Sequence, residues 1–249
     1  LLIFIQNGVI ILAGEKILII DDEREICEMV SLCLENERYQ PLIAEDGRKG
    51  LQSAREEKPD LIILDIYLPD MDGIEVCQEL RNFTSVPILF LSCKSEDVDK
   101  IVGLRVGGDD YITKPFSPGE LTARVKAHLR RNRLLDAISK HNQILRFPGL
   151  EIDIGSHEIR KNEAKVPLSA IEFQILTILA KNPNRVFNPD HLYELVWGNE
   201  ELCDPRTVAV HISNLRKKIE SDPTRPTYIL TVRGVGYKFN VPSPEPEKL

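Results

Sequence analysis

Five side chains in this sequence share one local pattern. The carboxylates of Asp21, Asp22 and Asp65, the hydroxyl of Ser92 and the ammonium of Lys114 each follow directly on a short apolar or strand-like run: "KILII", "LIIL", "ILFL" and "DYIT". A lone aspartate in such a place caps a helix or starts a turn. Three carboxylates brought together repel one another, so something must neutralise them. A hard divalent cation does this: Mg2+ takes oxygen ligands and is held by one or two carboxylates together with phosphate oxygens. A carboxylate can also attack phosphorus and form an aspartyl phosphate. Lys114 would then supply positive charge to a phosphoryl oxygen, since phosphoryl transfer depends on positioning and charge stabilisation.

That chemistry requires the five residues to meet, and the elements around them provide the means. From Glu15 onward, strand-like runs alternate with helical spacing: "KILII", "YQPLIAE", "PDLIILD", "VPILFLS" and "DDYITK" are each followed by an amphipathic stretch. In the first of these stretches Ile26, Met29, Val30 and Leu34 share one side. Five β-then-α units with dry strands predict a parallel sheet covered on both faces. Ligands of such sheets bind beyond the carboxyl ends of the strands, which is where the five residues fall.

After Arg133 the alternation stops. Short strands are expected in "LRFPGLEIDIGSHEIRKN" and "KVPLS", helices in "AIEFQILTILAKN", "PDHLYELVW" and "PRTVAVHISNLRKKIES", and a final hairpin in "YILTVRGVGYKFN". The expected organisation is an apolar extension at 1–14, a first domain at 15–133, a linker at 134–143, a second domain at 144–241 and a frayed Pro-rich tail at 242–249. The extension is too short to span a bilayer and has no basic flank.

The net charge is −7 over 249 residues, with 42% apolar and 29% charged residues, a composition of globular proteins rather than disordered ones. Residues 15–140 hold 18 Lys and Arg against 25 Asp and Glu, whereas 141–249 hold 14 of each. Two modules with different partners follow from that asymmetry. The five cysteines, Cys27, Cys33, Cys77, Cys93 and Cys203, form no C-x-x-C pair and read as reduced thiols of a cytoplasmic protein.

The first half resembles the receiver domain of bacterial two-component response regulators across 16–133, through "ILIIDDE", "PDLIILDIYLPDMDG", "ILFLSCKSE" and "DDYITKPF". The resemblance implies a flavodoxin-like, five-stranded α/β domain in which Asp65 accepts phosphate from a sensor histidine kinase. It implies Mg2+ held by Asp22 with Asp21, Asp65 and the backbone carbonyl of Tyr67. Lys114 would pair with the phosphoryl group, before a cis peptide to Pro115. Ser92 and Tyr111 would form a switch pair. Homodimerisation is implied through the fourth helix, fifth strand and fifth helix, with Lys100, Asp109, Asp110, Glu120, Arg124 and Arg131 as ion-pair members. "GLRVGGDD" departs from the family pattern at Arg105 and Gly108, which alters one interface pair and loosens the turn before the fifth strand.

In the second half, "PRTVAVHISNLRKKI" carries Arg206, His211, Arg216, Lys217 and Lys218 and no acid, while Val208, Ile212, Leu215 and Ile219 recur at helical spacing. One face is apolar and the other seeks phosphate. With the basic hairpin "TVRGVGYKFN", this segment resembles a winged helix-turn-helix of the OmpR/PhoB type across 145–240, an α+β domain smaller than the first. The resemblance implies a recognition helix in the major groove and a wing at the minor groove. Contact candidates are Arg206, Thr207, His211, Ser213, Asn214, Arg216 and Lys217, with Thr231, Arg233 and Tyr237 from the wing. The acidic loop 198–205, with Glu200, Glu201 and Asp204, corresponds to a loop that contacts RNA polymerase.

These expectations describe a transcriptional regulator that is phosphorylated on Asp65 and binds promoter DNA as a dimer. Two other readings share the residues: a phosphorylation-independent DNA-binding protein that uses its receiver only to dimerise, and an aspartyl-phosphate hydrolase, which would leave the basic helix unexplained.

Overall fold

The computed structural model describes residues 3–6, 9–12, 14–93, 103–139, 144–198 and 206–242, with 3–6, 9–12, 92 and 130–139 described by their backbone alone. The chain divides into two compact units, Leu1–Leu129 and Arg130–Leu249.

In the first unit, β1 (Ile3–Gln6) and β2 (Val9–Leu12) pair as an antiparallel ribbon separate from the main sheet. The main sheet contains β3 (Lys16–Ile20), β4 (Gln40–Ala44), β5 (Leu61–Asp65), β6 (Ile88–Ser92) and β7 (Asp110–Thr113), all parallel, in the order β4-β3-β5-β6-β7. The chain runs from β3 out to β4 and then returns across β3 to β5. The boundary between β3 and β5 is therefore the point where strand order reverses, and a crevice opens there beyond the strand ends.

Side chains alternate between the two faces. Ile17, Ile19, Leu61, Ile63, Leu89 and Leu91 pack on one face with α1 (Arg24–Asn36) and the helix Pro118–Ser139. Leu18, Ile20, Ile62, Leu64, Ile88 and Phe90 pack on the other with α2 (Gly47–Glu57) and α3 (Gly73–Arg81). Asp46 and Asp72 cap α2 and α3, accepting from the backbone N–H of Lys49 and Ile74. On α1, Cys27 joins Val30 and Leu34 in the core, with Ile26 and Met29 half-buried beside them.

The helix Pro118–Ser139 continues through the first part of the linker segment 134–143. At Gly108 a Cβ would lie 2.5 Å from Phe90 Cε2, so the glycine makes room for a bulky core ring. The fourth helix lies mostly outside the described residues, with 103–105 helical.

The second unit has an antiparallel sheet of β8 (Ile144–Phe147), β9 (Leu150–Asp153), β10 (Glu158–Lys161) and β11 (Ala164–Val166). Three helices follow, Ala170–Lys181, Pro189–Trp197 and Arg206–Ile219. The first opens with a capping box: Ser169 Oγ accepts from Glu172 N, and Glu172 Oε2 accepts from Ser169 N. The closing sheet places β14 (Gly236–Phe239) between β12 (Val186–Phe187) and β13 (Ile229–Val232). Leu176, Leu179, Leu192, Val196, Val208, Ile212, Leu215 and Phe239 belong to the core of this unit.

Candidate functional site

The ends of β3, β5 and β7 meet at the crevice. Asp21 follows β3, Asp65 ends β5 and Lys114 follows β7, and strand pairing fixes their spacing. Asp21, Asp22 and Asp65 each offer a carboxylate oxygen within 4.8 Å of the others. Asp21 and Asp65 are 1% and 4% exposed, while Asp22 faces solvent. Lys114 Nζ donates to Asp65 Oδ2 at 2.6 Å, Asp21 Oδ2 at 2.9 Å and Glu23 Oε1 at 2.8 Å. The opposite oxygens are also held: Asp65 Oδ1 accepts from Tyr67 N at 3.1 Å, and Asp21 Oδ1 from Glu23 N at 2.9 Å.

Burial pushes the Asp21 carboxyl above its ordinary value, against the opposing hydrogen bond from Lys114. Burial also works against the Lys114 ammonium, but its bonds to Asp65, Glu23 and Asp21 outweigh this and raise its pKa. Beside them, burial pushes the Cys27 thiol up to about 11, and its Sγ donates to the Asp21 carbonyl. The thiol is thus a packing group rather than a nucleophile.

The loop after β5 is built to hold Asp65. A Cβ on Gly73 would lie 2.0 Å from the Asp65 carbonyl oxygen, so α3 can start against β5 only with a glycine there. Asp70 accepts from the backbone N–H of Gly47 and Arg48, tying the loop to the start of α2. The Lys114–Pro115 peptide is cis. Ser92 ends β6 next to β5, with its side chain outside the described residues, and Tyr111 lies on β7, 8% exposed.

Charges at the start of β7 are paired within the first unit. Asp109 is fully buried and paired with Arg81, whose guanidinium also donates to the carbonyls of Val86 and Gly107. Asp110 and Arg124 are each 7% exposed and pair with one another, with His128 Nε2 at 3.2 Å from Asp110 and Glu120 at 3.3 Å from Arg124. Asp109, Asp110 and Arg124 therefore serve internal pairs, because an ion pair this dry needs partners within the unit. Lys100 and the side chain of Arg131 lie outside the described residues.

On the helix Arg206–Ile219, Arg206, Ser213 and Lys217 face solvent and Thr207 is half-buried. His211 and Asn214 are 1% and 4% exposed, with the His211 ring against Trp197, so these two expected DNA contacts belong to the core-facing side. Arg216 turns to the wing: Nε and Nη2 donate to the Ile229 carbonyl at 3.0 and 2.7 Å, Nη2 also reaches Thr231 Oγ1, and the guanidinium lies 5.9 Å from the Tyr237 ring. Lys218 pairs with buried Glu172. At the wing, Thr231 and Arg233 are exposed and Tyr237 half-buried. Of the loop 198–205 only Gly198 is described.

Two working residues escaped the sequence reading. Glu23, within "IDDE", completes the ring of acceptors around Lys114. Glu220, 4% exposed at the end of the basic helix, accepts the backbone N–H groups of Thr227, Tyr228 and Ile229 and so fixes β13 to that helix. A lone acid directly after the basic run "RKKI" was the available signal.

Comparison with known proteins agrees with this division. Residues 17–126 match the response regulator receiver domain, and 162–239 match the transcriptional regulatory protein C-terminal domain. The chain is 43% identical over 228 residues to the DNA-binding response regulator MtrA of Mycobacterium tuberculosis, covering 92% of this chain and 98% of that one. It is 43% identical over 236 residues to the alkaline phosphatase synthesis transcriptional regulatory protein PhoP of Bacillus subtilis, with the same coverage. Among solved structures, a cysteine-to-serine mutant of RitR is similar at a TM-score of 0.79 and 30% identity, covering 91% of this chain and 99% of that one.

Proposed function

The chain belongs to the OmpR/PhoB family of two-component response regulators, and on that premise we propose that phosphorylation of Asp65 controls its binding to promoter DNA. The observation that carries the reading is the convergence of Asp21, Asp22 and Asp65 within 4.8 Å, with Lys114 2.6 Å from Asp65.

A sensor histidine kinase is the donor. An Asp65 carboxylate oxygen attacks phosphorus, the P–N bond to the kinase histidine breaks, and the imidazole leaves. Strand β5, buried throughout, holds the nucleophile at the crevice. Lys114 moves its ammonium to a phosphoryl oxygen and stabilises the charge there. Three clustered carboxylates are a hard-oxygen donor set that fits Mg2+; Asp21, Asp22, Asp65 and the Tyr67 carbonyl would hold the ion, which when bound neutralises them and polarises the phosphoryl oxygens. Ser92 then approaches the phosphoryl group and Tyr111 follows. The change favours a homodimer that sets two winged-helix domains on adjacent half-sites. Turnover is limited to self-phosphorylation and slow autodephosphorylation, and the protein works in the cytoplasm. Among the described residues no helix is long and apolar enough to cross a membrane.

On the DNA-binding unit, the exposed groups Arg206, Ser213, Lys217, Thr231 and Arg233 carry the contacts, with Arg216 and Tyr237 setting the wing. The loop 198–205 offers acids to RNA polymerase. The test is DNA affinity with and without beryllium fluoride, a phosphoryl mimic, in Mg2+. Affinity should rise with the mimic in the wild-type protein and stay unchanged in Asp65→Asn. Equal affinity in both conditions for the wild type would refute the switch.

A further inference from the structure

We propose that Glu23 is a placeholder on Lys114: it holds the ammonium while Asp65 is unmodified, yields it to the incoming phosphoryl oxygen, and so limits how fast Asp65 is phosphorylated. The proposal rests on Asp65 being the acceptor.

An ammonium has three donors, and in Lys114 all three are taken, by Asp21, Glu23 and Asp65. These partners are not equivalent. The side chains of Asp21 and Asp65 are 1% and 5% exposed, and each has its second oxygen tied to a backbone N–H. The Glu23 side chain is 55% exposed. A phosphoryl group arrives from solvent, so it meets Lys114 on the side that Glu23 occupies. Two anions cannot share that N–H without repulsion, and Glu23 is the partner with somewhere to go.

A second observation separates this role from helix building. Glu23 sits at the N-cap of α1, where a side chain ordinarily accepts from the first turn, yet it makes no capping hydrogen bond. Its carboxylate is committed to Lys114 instead. Swinging it into solvent therefore removes nothing from α1. Glu23 is a positioning residue, acting on the reaction through Lys114.

The test uses the full chain and acetyl phosphate in saturating Mg2+. An Asp65 oxygen attacks phosphorus, the bond between phosphorus and the acetyl oxygen breaks, and acetate leaves without any proton being required. Initial labelling rates are compared for wild type, Glu23→Gln and Glu23→Asp, with circular dichroism confirming the fold of each. Glutamine keeps the length and loses the charge; aspartate keeps the charge but is one methylene too short to reach Nζ. Both variants should label about two- to fivefold faster, the size expected for loss of one half-exposed ion pair. Acceleration cannot come from a damaged site, which would label more slowly.

Acceleration in Glu23→Gln alone would show that only the charge matters and would overturn the placeholder role. Unchanged or slower labelling in both variants would overturn it as well. Failure of the wild type itself to label would remove the underlying assignment of Asp65, a result distinguishable from all of these.

Discussion

Asp21 shows what the site costs the fold at the scale of a single residue. Its carboxylate is buried, and burial raises its pKa despite Lys114. A folded-state pKa above the unfolded value favours the protonated form, so the ionised group destabilises the fold at neutral pH. Asp21→Asn should therefore raise the midpoint of thermal unfolding at pH 7 while weakening Mg2+ binding, measured by calorimetric titration. Asp110 has the opposite sign. Burial would push its carboxyl up, but Arg124 and His128 outweigh burial and hold it to about 2. Its contribution is present above the unfolded value of 3.8 and is lost as pH falls toward 2. Asp110→Asn should lose on the order of 2 kcal/mol at pH 7, with a shallower decline between pH 4 and 2 in denaturant melts. Asp21, Asp65 and Lys114 were legible because each ends or follows a strand-like run. His211 was not. Its helical spacing from Val208 and Leu215 puts it on the apolar stripe, but a basic residue type suggested the opposite face. Asp109 read as a surface charge because its partner Arg81 is distant in sequence, and Asp110 because its partners Arg124 and His128 reach it from the following helix.

At the scale of elements, alternation of strands and helices was enough to give the sheet, its parallel pairing and the end at which the site lies. The glycines needed coordinates. "MDG" reads as a turn, but only the structure shows Gly73 pressed against the Asp65 carbonyl. Gly236 is similar: it has φ +155 and a Cβ there would meet the Phe187 carbonyl at 2.0 Å, so β14 can lie beside β12 only with glycine. The wing's attachment was likewise hidden, since it depends on Glu220 and Arg216 gripping the backbone of β13 from both its N–H and C=O groups. Glu220→Gln should leave those N–H groups poorly satisfied, with a loss of about 1–3 kcal/mol. Denaturant melts would show that loss, and DNA affinity should fall with it because the wing would no longer be held against the basic helix.

Over the whole molecule, the charge asymmetry matches the two units. The acidic excess belongs to the unit that carries the carboxylate crevice, while residues 141–249 hold 14 Lys and Arg against 14 Asp and Glu and place their cations locally. DNA affinity should then depend on a few exposed groups rather than on net charge. Lys217→Ala should weaken binding similarly for all sequences and reduce the slope of log affinity against log salt by about one. A slope equal to that of the wild type would remove Lys217 from the contacts. The claim on which the rest depends is that Asp65 carries the phosphoryl group, and intact-mass spectrometry after incubation with acetyl phosphate and Mg2+ tests it most directly. The wild-type chain should gain the mass of one phosphoryl group, and Asp65→Asn should gain none. Equal labelling of the two proteins would contradict the account.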